Sequence, residues 1–409
     1  ILFFALYLFI ISIILHIIYL DKILDGLENN KYFVYISILS IILLILIIYR
    51  TFFFNANNFK NLLLLFIVST LSIITMEILV NYINFKNKIN LQAASVNKNI
   101  DLNQIYLDLL KKNKNLKFSF SPNEINANYE KHFFFSNNSN SKSFLCIEDN
   151  GPIVIENDKF GFHNENIKWS QTESILFLGD SFVQGWCVNS KKNFVNRFNA
   201  KSLNLGIQNT GPLVQFAILK EYLKFTKPKK IIWFYYEGND YDDLNHEKRN
   251  KILRKFLINN LFSQQLTRRQ IEVDAQNNKI LKKYLNILNK IKKEKIKKYS
   301  KNFDLKKIIT LKNTRTFVNN IFFKGFLYEK ILVEAKILTE LYNIDLVMVY
   351  LPSYERYKFK NNYLKNIHYK QILKIYEKNG LKFIDLKKSF FDKRNTLALY
   401  PQKKRGHLN

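Results

Sequence analysis

The 409-residue chain has few of the residues that define several protein classes, with 2 cysteines, 11 glycines and 6 prolines. So few cysteines exclude a disulfide-dense scaffold and argue against a cysteine-rich zinc or iron–sulfur site. The low glycine and proline contents exclude collagen-like and low-complexity sequence. Acidic residues are also scarce, because 33 Asp and Glu stand against 63 Lys and Arg, and the formal net charge is +30.

The lysine excess has two interpretations. Lysine, asparagine, isoleucine and phenylalanine are abundant together, as AT-rich codons produce, and on this interpretation the charge carries no function. On the other interpretation, the lysines contact an anionic lipid, a glycan or a nucleic acid. No recognisable nucleic-acid motif accompanies them, so we do not expect nucleic acid as a partner.

Three long apolar runs open the chain, at residues 1–20, 32–49 and 62–80. A helix rises about 1.5 Å per residue and the hydrocarbon core is about 30 Å thick, so each run can roughly span a bilayer. A single cleaved signal peptide does not explain three runs. We therefore predict a membrane anchor over residues 1–83 with three transmembrane helices, and the membrane lipid bilayer as a partner.

The topology of this multi-pass anchor is predicted from its loops. Residues 21–31 and 50–61 contain two Lys or Arg each, so the positive-inside rule does not separate them. The acidic residues of the first loop favour a cytoplasmic position for the second. With three spans, the remainder of the chain is then expected outside the cytoplasm, in the periplasm.

The remainder of the chain alternates between short apolar runs and helical patterns. Residues 84–150 are rich in Asn and Lys and predict a polar linker that enters the next domain near its end. Residues 174–178, 202–205, 230–236, 344–351 and 382–386 are typical of strands buried on both faces. We therefore predict an α/β fold over residues 151–409, a three-layer α/β/α sandwich with a parallel sheet.

A lysine-rich segment at about 253–324 interrupts this alternation. Its period is mostly helical, and no glycine occurs between Gly238 and Gly325. It is either a solvated helical insertion or a basic cap that faces an anionic surface or substrate.

Polar residues follow three of the predicted strands, at Gly179-Asp180-Ser181, Gly206 and Gly238-Asn239-Asp240. Ligands of parallel sheets bind beyond the carboxyl ends of the strands, so these residues are expected to meet. The N–H groups of Ser181 and Gly206 and the amide of Asn239 would form a three-donor oxyanion hole. The alternative for Ser181 is a plain helix cap after a Gly-Asp turn.

This pattern resembles the SGNH (GDSL-type) hydrolases, a family defined by four sequence blocks. Gly179-Asp180-Ser181-Phe182 is similar to the first block, Gly206 to the second and Gly238-Asn239-Asp240 to the third. His407, in Gly406-His407-Leu408-Asn409, resembles the last. The resemblance covers roughly residue 158 to the end, without the lysine-rich insertion. Residues 233–240 also look like membrane-anchored bacterial members, and some relatives transfer acetyl groups to surface polysaccharides.

The resemblance implies a flavodoxin-like sheet, with Ser181 as the nucleophile and His407 as the base. It also implies an oxyanion hole formed by Ser181, Gly206 and Asn239. A serine hydroxyl needs such a base, and the tetrahedral oxyanion needs fixed donors. The two neighbouring carboxylates are expected to support the loops around the site, and these are Asp180 and Asp240.

One position departs from the family pattern. Members usually place an aspartate three residues before the histidine, and this chain has Lys404 there. A lysine cannot accept the imidazole N–H. Another carboxylate such as Asp392, a backbone carbonyl, or a Ser–His dyad without an acid are the alternatives. His163 and His246 are lesser candidates for residues near the site.

The remaining expectations concern cysteines and bound groups. Cys146 and Cys187 are allowed to form a disulfide if the domain lies outside the cytoplasm, and two separate buried thiols are the alternative. No histidine pair has metal-ligand spacing, so we expect neither a metal nor another cofactor.

The sequence as a whole predicts a membrane-anchored serine ester hydrolase or O-acyltransferase. It is expected to act through a Ser181 acyl-enzyme on acyl esters, with acetyl the expected acyl group, of envelope glycans or lipids. A membrane acyl-donor protein is a candidate partner. The alternative is a catalytically degenerate SGNH-like module that binds the envelope.

Overall fold

The computed structural model describes residues 102–127, 129–148, 151–198, 201–291, 325–358, 363–400 and 406–408, and the single residues 60 and 64. The three predicted transmembrane segments lie outside these residues, apart from residue 64. Within the described part of the chain, no helix is long and apolar enough to cross a membrane. The helices and strands from residue 102 onward belong to one compact unit, Leu91–Tyr299 with Lys324–Asn409.

The strands are short, as the apolar runs predict, and alternate with helices after residue 170. The strands are β1 Lys117–Phe118, β2 Lys142–Glu148, β3 Gly151–Glu156, β4 Thr172–Leu178, β5 Ser202–Asn204, β6 Lys227–Tyr236, β7 Asp345–Leu351 and β8 Lys382–Asp385. The helices are α1 Leu102–Lys112, α2 Pro122–Ile125, α3 Ser181–Gln184, α4 Phe194–Phe198, α5 Pro212–Tyr222, α6 Asp240–Glu247, α7 Lys251–Ile258, α8 Gln270–Ile291, α9 Phe326–Leu341, α10 Tyr354–Lys358, α11 Tyr363–Lys378 and α12 Leu386–Ser389.

Strands β4 to β8 form one parallel sheet in the order β5-β4-β6-β7-β8. Numbered within the sheet, this is the 2-1-3-4-5 order of one common doubly wound topology. The order places the ends of β4, β5 and β6 side by side, where the topology changes direction. The predicted α/β fold with a parallel sheet is therefore confirmed.

Helices cover both faces of this sheet because alternate side chains of each strand point to opposite faces. On one face, Phe177 and Ile232 pack with Val195 of α4 and with Leu386 of α12. On the other face, the indole of Trp233 donates a hydrogen bond to Gln215 of α5. Helix α5 is buried on nearly all sides, which explains why it lacks an amphipathic pattern.

The segment interpreted as a polar linker is folded from residue 102 onward. Helix α1 packs on a three-stranded sheet in the order β1-β2-β3, and Tyr106 and Phe144 are fully or almost fully buried. Asparagine amides supply the partners that an irregular backbone needs: Asn137 accepts from the Phe120 N–H, and Asn126 accepts from the Phe134 N–H. The asparagine content that predicts a linker therefore stabilises a compact structure.

The first part of the lysine-rich insertion is helical, as predicted, but it is not merely solvated. Helix α8 packs against the same asparagine-rich segment. Gln276 donates to the Ile125 carbonyl, Asn277 donates to the Ser136 carbonyl, and the ring of Tyr284 lies 4.8 Å from that of Phe118. Residues 292–324 lie outside the described residues.

Cys146 and Cys187, for which the sequence allows either pairing or separate thiols, are joined by a disulfide with a Cα–Cα distance of 5.5 Å. The bond ties strand β2 to the chain segment that follows α3. Both cysteines are buried, in a cluster that includes Leu145, Ile153 and Ile155.

The disulfide should stabilise the fold because it closes a loop of 41 residues. Replacing both cysteines by alanine should cost about 2–4 kcal/mol of unfolding free energy. Thermal unfolding of the oxidised wild type should therefore occur at a higher temperature than that of Cys146→Ala/Cys187→Ala. A reductant should lower the wild-type midpoint and leave the variant unchanged, and equal midpoints under oxidising conditions would contradict this role.

Candidate active site

Ser181 occupies the first position of α3, directly beyond the carboxyl end of β4. Asp180 caps this helix, because its Oδ1 accepts the Phe182 N–H at 2.9 Å. The helix ends after one turn at Gly185, which has the left-handed φ of 80° that favours glycine. Ser181 is half-buried, and its own N–H has no acceptor among the described residues.

The structure brings His407 to Ser181, with 2.9 Å between Nε2 and Oγ. Two aromatic rings flank the imidazole, at centroid distances of 4.8 Å for Phe182 and 5.9 Å for Trp186. A neutral imidazole with an unprotonated Nε2 accepts the serine proton in this geometry. The serine and the histidine of the predicted pair are thus adjacent.

Asp392, the carboxylate suggested by the sequence as a partner for the imidazole, is engaged by other side chains. It accepts from the Tyr357 hydroxyl at 2.9 Å and from Lys387 Nζ at 2.6 Å. Lys404 lies outside the described residues. Asp180 interacts electrostatically with His407. Burial raises the pKa of Asp180 to about 6, and the positive charge of a protonated His407 opposes that rise.

Asn239 follows β6 at the same sheet edge, since β6 pairs directly with β4. Its Nδ2 donates to Asp243 Oδ2 at 2.7 Å, and its side chain also interacts with the carboxyl group of Asp180, whose pKa it lowers. An oxyanion would therefore have to compete with Asp180 for the second amide hydrogen. Asp240 braces this turn, because its Oδ2 accepts the Tyr236 N–H at 2.9 Å. The two supporting aspartates, Asp180 and Asp240, therefore hold the turns that carry Ser181 and Asn239.

Gly206 differs from the prediction. Its N–H donates to Asn204 Oδ1 at 2.9 Å, so in this structure it is not presented to an oxyanion. Asn204 Nδ2 in turn donates to the Val183 carbonyl at 2.8 Å. A Cβ on Gly206 would lie 2.4 Å from the Gln184 backbone nitrogen, so the glycine is required by the close approach of β5 to α3.

The carboxyl groups of Asp180, Asp240 and Asp243 lie near one another at the site, and their charges interact. Asp180 and Asp240 are buried, and Asp243 is half-buried. Burial raises the pKa of Asp180, Asp240 and Asp243, and the charge of Asp180 raises the pKa of the other two further. For Asp243 the pKa reaches about 7. Mutual repulsion therefore opposes full ionisation of all three near neutral pH.

A buried ion pair that was not predicted from the sequence supports the Gly-Asn-Asp turn. Glu237 accepts from the guanidinium of Arg356 in α10 and, at 3.0 Å, from the Ser353 N–H. Burial alone would raise the pKa of Glu237, but Arg356 and Lys365 hold it below its usual value. The signal that could have revealed the pair is a glutamate placed directly after an apolar strand.

A cavity of about 350 Å³ opens beside His407. Its walls come from α3, α4, the ends of β6 and β7, and the segment that follows β8. The lining includes Phe182, Trp186, Phe194, Phe234, Leu386 and Phe391.

The other candidates lie away from this arrangement. His163 is buried, with Nδ1 3.0 Å from the Gln184 carbonyl oxygen and Nε2 2.7 Å from Ser190 Oγ, and it braces the end of α3. His246 is exposed in the last turn of α6. No cluster of His, Cys, Asp or Glu within the described ranges could hold a metal ion.

The comparisons with known proteins add no relatives. No protein-family model matches the chain, and no curated protein and no solved structure matches it. The resemblance to SGNH hydrolases therefore depends on the four sequence blocks.

The Glu237–Arg356 pair should be tested with one single and one double variant. Glu237→Gln leaves a buried guanidinium without its counter-charge and should cost about 3–5 kcal/mol of stability. Adding Arg356→Met should recover most of that loss, because the buried guanidinium is then removed and only the half-buried Lys365 loses its attraction to Glu237. Urea unfolding measures both values, and equal stability of Glu237→Gln and wild type would show that the pair does not support the turn.

Proposed function

We propose that this chain is a membrane-anchored serine ester hydrolase or O-acyltransferase of the SGNH type. The observation that carries the proposal is the 2.9 Å contact between Ser181 Oγ and His407 Nε2 at the carboxyl edge of the sheet. The 2-1-3-4-5 strand order and the helices on both faces support the three-layer, flavodoxin-like form of the fold.

In the proposed reaction, His407 Nε2 removes the Ser181 hydroxyl proton while Oγ attacks the ester carbonyl carbon. The carbonyl oxygen becomes an oxyanion, which the Ser181 N–H and the Asn239 amide stabilise. The imidazolium then protonates the departing alcohol, and an acyl-Ser181 ester remains. Water or a sugar hydroxyl attacks this ester by the same steps in reverse, which gives hydrolysis or acyl transfer.

Asp180 takes part of the role that an orienting acid has in other serine enzymes. Its carboxylate is buried, which raises its pKa, and the charge of the His407 imidazolium favours its ionised form. By reciprocity, an ionised Asp180 stabilises the imidazolium that forms during attack. Asp180 is therefore a positioning and electrostatic residue, and Ser181 and His407 form the reacting pair.

The location of the reaction is proposed from two features. The Cys146–Cys187 disulfide is favoured in an oxidising compartment such as the periplasm. The three apolar runs at residues 1–80 would hold the domain at the membrane, near acylated glycans or lipids and near an acyl-donor protein of the membrane.

A degenerate envelope-binding module is the second candidate. Two observations favour it: Lys404 replaces the family's aspartate, and the Gly206 N–H is engaged by Asn204. A binding module would keep the fold and the apolar cavity without an activated serine.

A fluorophosphonate probe distinguishes these two functions because it labels only an activated serine. Wild type should be labelled, and labelling should be lost in Ser181→Ala and in His407→Ala. Ser190→Ala is the matched control. Among the described residues, Ser190 makes the second hydrogen bond between a serine and a histidine, and its partner is the buried His163. This variant should label like wild type. A folded wild-type protein that takes up no probe would support the binding module.

Asn239→Ala tests the oxyanion donor separately from the nucleophile. Loss of one such donor should raise the activation barrier by about 3–4 kcal/mol, a fall in kcat of two to three orders of magnitude with little change in KM. Steady-state hydrolysis of a p-nitrophenyl ester gives both constants. An unchanged kcat would remove Asn239 from the oxyanion hole.

A further inference from the structure

The cavity beside His407 has a mostly apolar lining, which the proposed ester chemistry does not itself require. Of its polar lining residues, Asn193 has both ends of its amide engaged by backbone groups, with Gln184 O at 3.0 Å and Val195 N at 2.8 Å. Lys192 is exposed to solvent. His407 points its Nε2 at Ser181. The remaining lining residues are aliphatic, aromatic or glycine.

Such a wall does not suit a sugar. A sugar ring presents several hydroxyl groups, and burying a hydroxyl without a hydrogen-bond partner costs about 1–3 kcal/mol. Among its lining side chains, the cavity offers these hydroxyls three polar partners besides the engaged Asn193: the exposed Lys192, the imidazole, and the single indole N–H of Trp186. These are too few for the several hydroxyls of a sugar ring. A glycan would therefore have to remain outside the cavity.

The cavity is also too large for an acetyl group. Its volume is about 350 Å³. An engineered apolar cavity of about 150 Å³ holds benzene, which has six carbons, and stays dry when empty. Scaled by volume, the cavity beside His407 suits an aliphatic chain of about fourteen carbons.

We propose that this cavity binds an aliphatic chain of the ester that Ser181 attacks, so that the substrate is lipid-like. The proposal rests on the proposed function and names the substrate class of the same site. His407 lines the cavity and contacts Ser181 Oγ, so a chain placed there is continuous with an ester at the serine. In this substrate, either a longer acyl chain takes the place of the expected acetyl group, or the acetyl group is kept and the alcohol carries the hydrocarbon chain.

The chain can belong to either half of the ester. A chain in the acyl group remains on Ser181 after the alcohol departs. A chain in the alcohol leaves with it, next to the imidazole that protonates it. Both have the same chemistry in the cavity, and only kinetics with two substrate series separates them.

The experiment uses the full chain in bilayer nanodiscs, free of detergent chains that would compete for the cavity. One series is p-nitrophenyl esters from acetate to octadecanoate, and the other is acetate esters of alcohols from ethanol to octadecanol. In the series that fills the cavity, kcat/KM should rise by up to about fourfold per methylene. It should level off at about fourteen carbons, where the cavity is full. The second series should depend only weakly on length.

Leu386→Trp adds bulk to the cavity wall and should shift the optimum to shorter chains. The ratio of decanoate to acetate kcat/KM, or of decyl to ethyl acetate, should fall at least tenfold. Leu341→Trp is the matched control, because Leu341 is an exposed leucine on α9, away from the cavity, and it should keep the wild-type ratio. The wild-type series decides the matter even if Leu386→Trp does not fold.

The outcomes separate this proposal from the proposed function. A protein that the fluorophosphonate probe labels at Ser181, but that shows no length preference in either series, would overturn the lipid-like substrate and leave the esterase standing. A folded protein that neither takes the probe nor turns over any ester would overturn both.

Discussion

The hydrogen bond between Ser181 and His407 joins residues that are 226 positions apart, so it exists only if the whole sheet is correctly assembled. Parallel strands place their carboxyl ends at one edge, and the 2-1-3-4-5 order puts the ends of β4, β5 and β6 together. Ser181 and Asn239 occupy two of these ends. The third end, at Gly206, fixes the spacing between β5 and α3 because nothing larger than hydrogen fits there.

Several buried polar contacts keep this edge in place. Asp180 and Asp240 hold the turns that follow β4 and β6, and the Glu237–Arg356 pair holds the β6 turn to α10. The disulfide ties the segment after α3 to β2 of the small sheet. A charged group held away from water is stable only while it keeps its partner. The site thus depends on contacts that a change far from Ser181 can break.

The sheet was predictable because its strands are continuous apolar runs that end in turn residues, and Ser181, Asn239 and His407 fell in recognisable blocks. The folded segment around Tyr106 and Phe120 was not predictable. Its many asparagines are typical of a linker, but in the structure their side-chain amides form hydrogen bonds with the irregular backbone. The engaged N–H of Gly206 was also hidden, since a sequence does not tell which acceptor a backbone donor finds. The apolar cavity was missed for a related reason, since its walls come from segments distant in sequence.

The proposed chemistry depends on an acyl-enzyme at Ser181. The most direct measurement is to mix the protein with p-nitrophenyl hexanoate, quench with acid, digest, and locate the hexanoyl group by mass spectrometry. We predict a hexanoyl group on the peptide that contains Ser181, and none on that peptide in His407→Ala. A folded protein with no acyl group, or with one at another residue, would contradict the proposal.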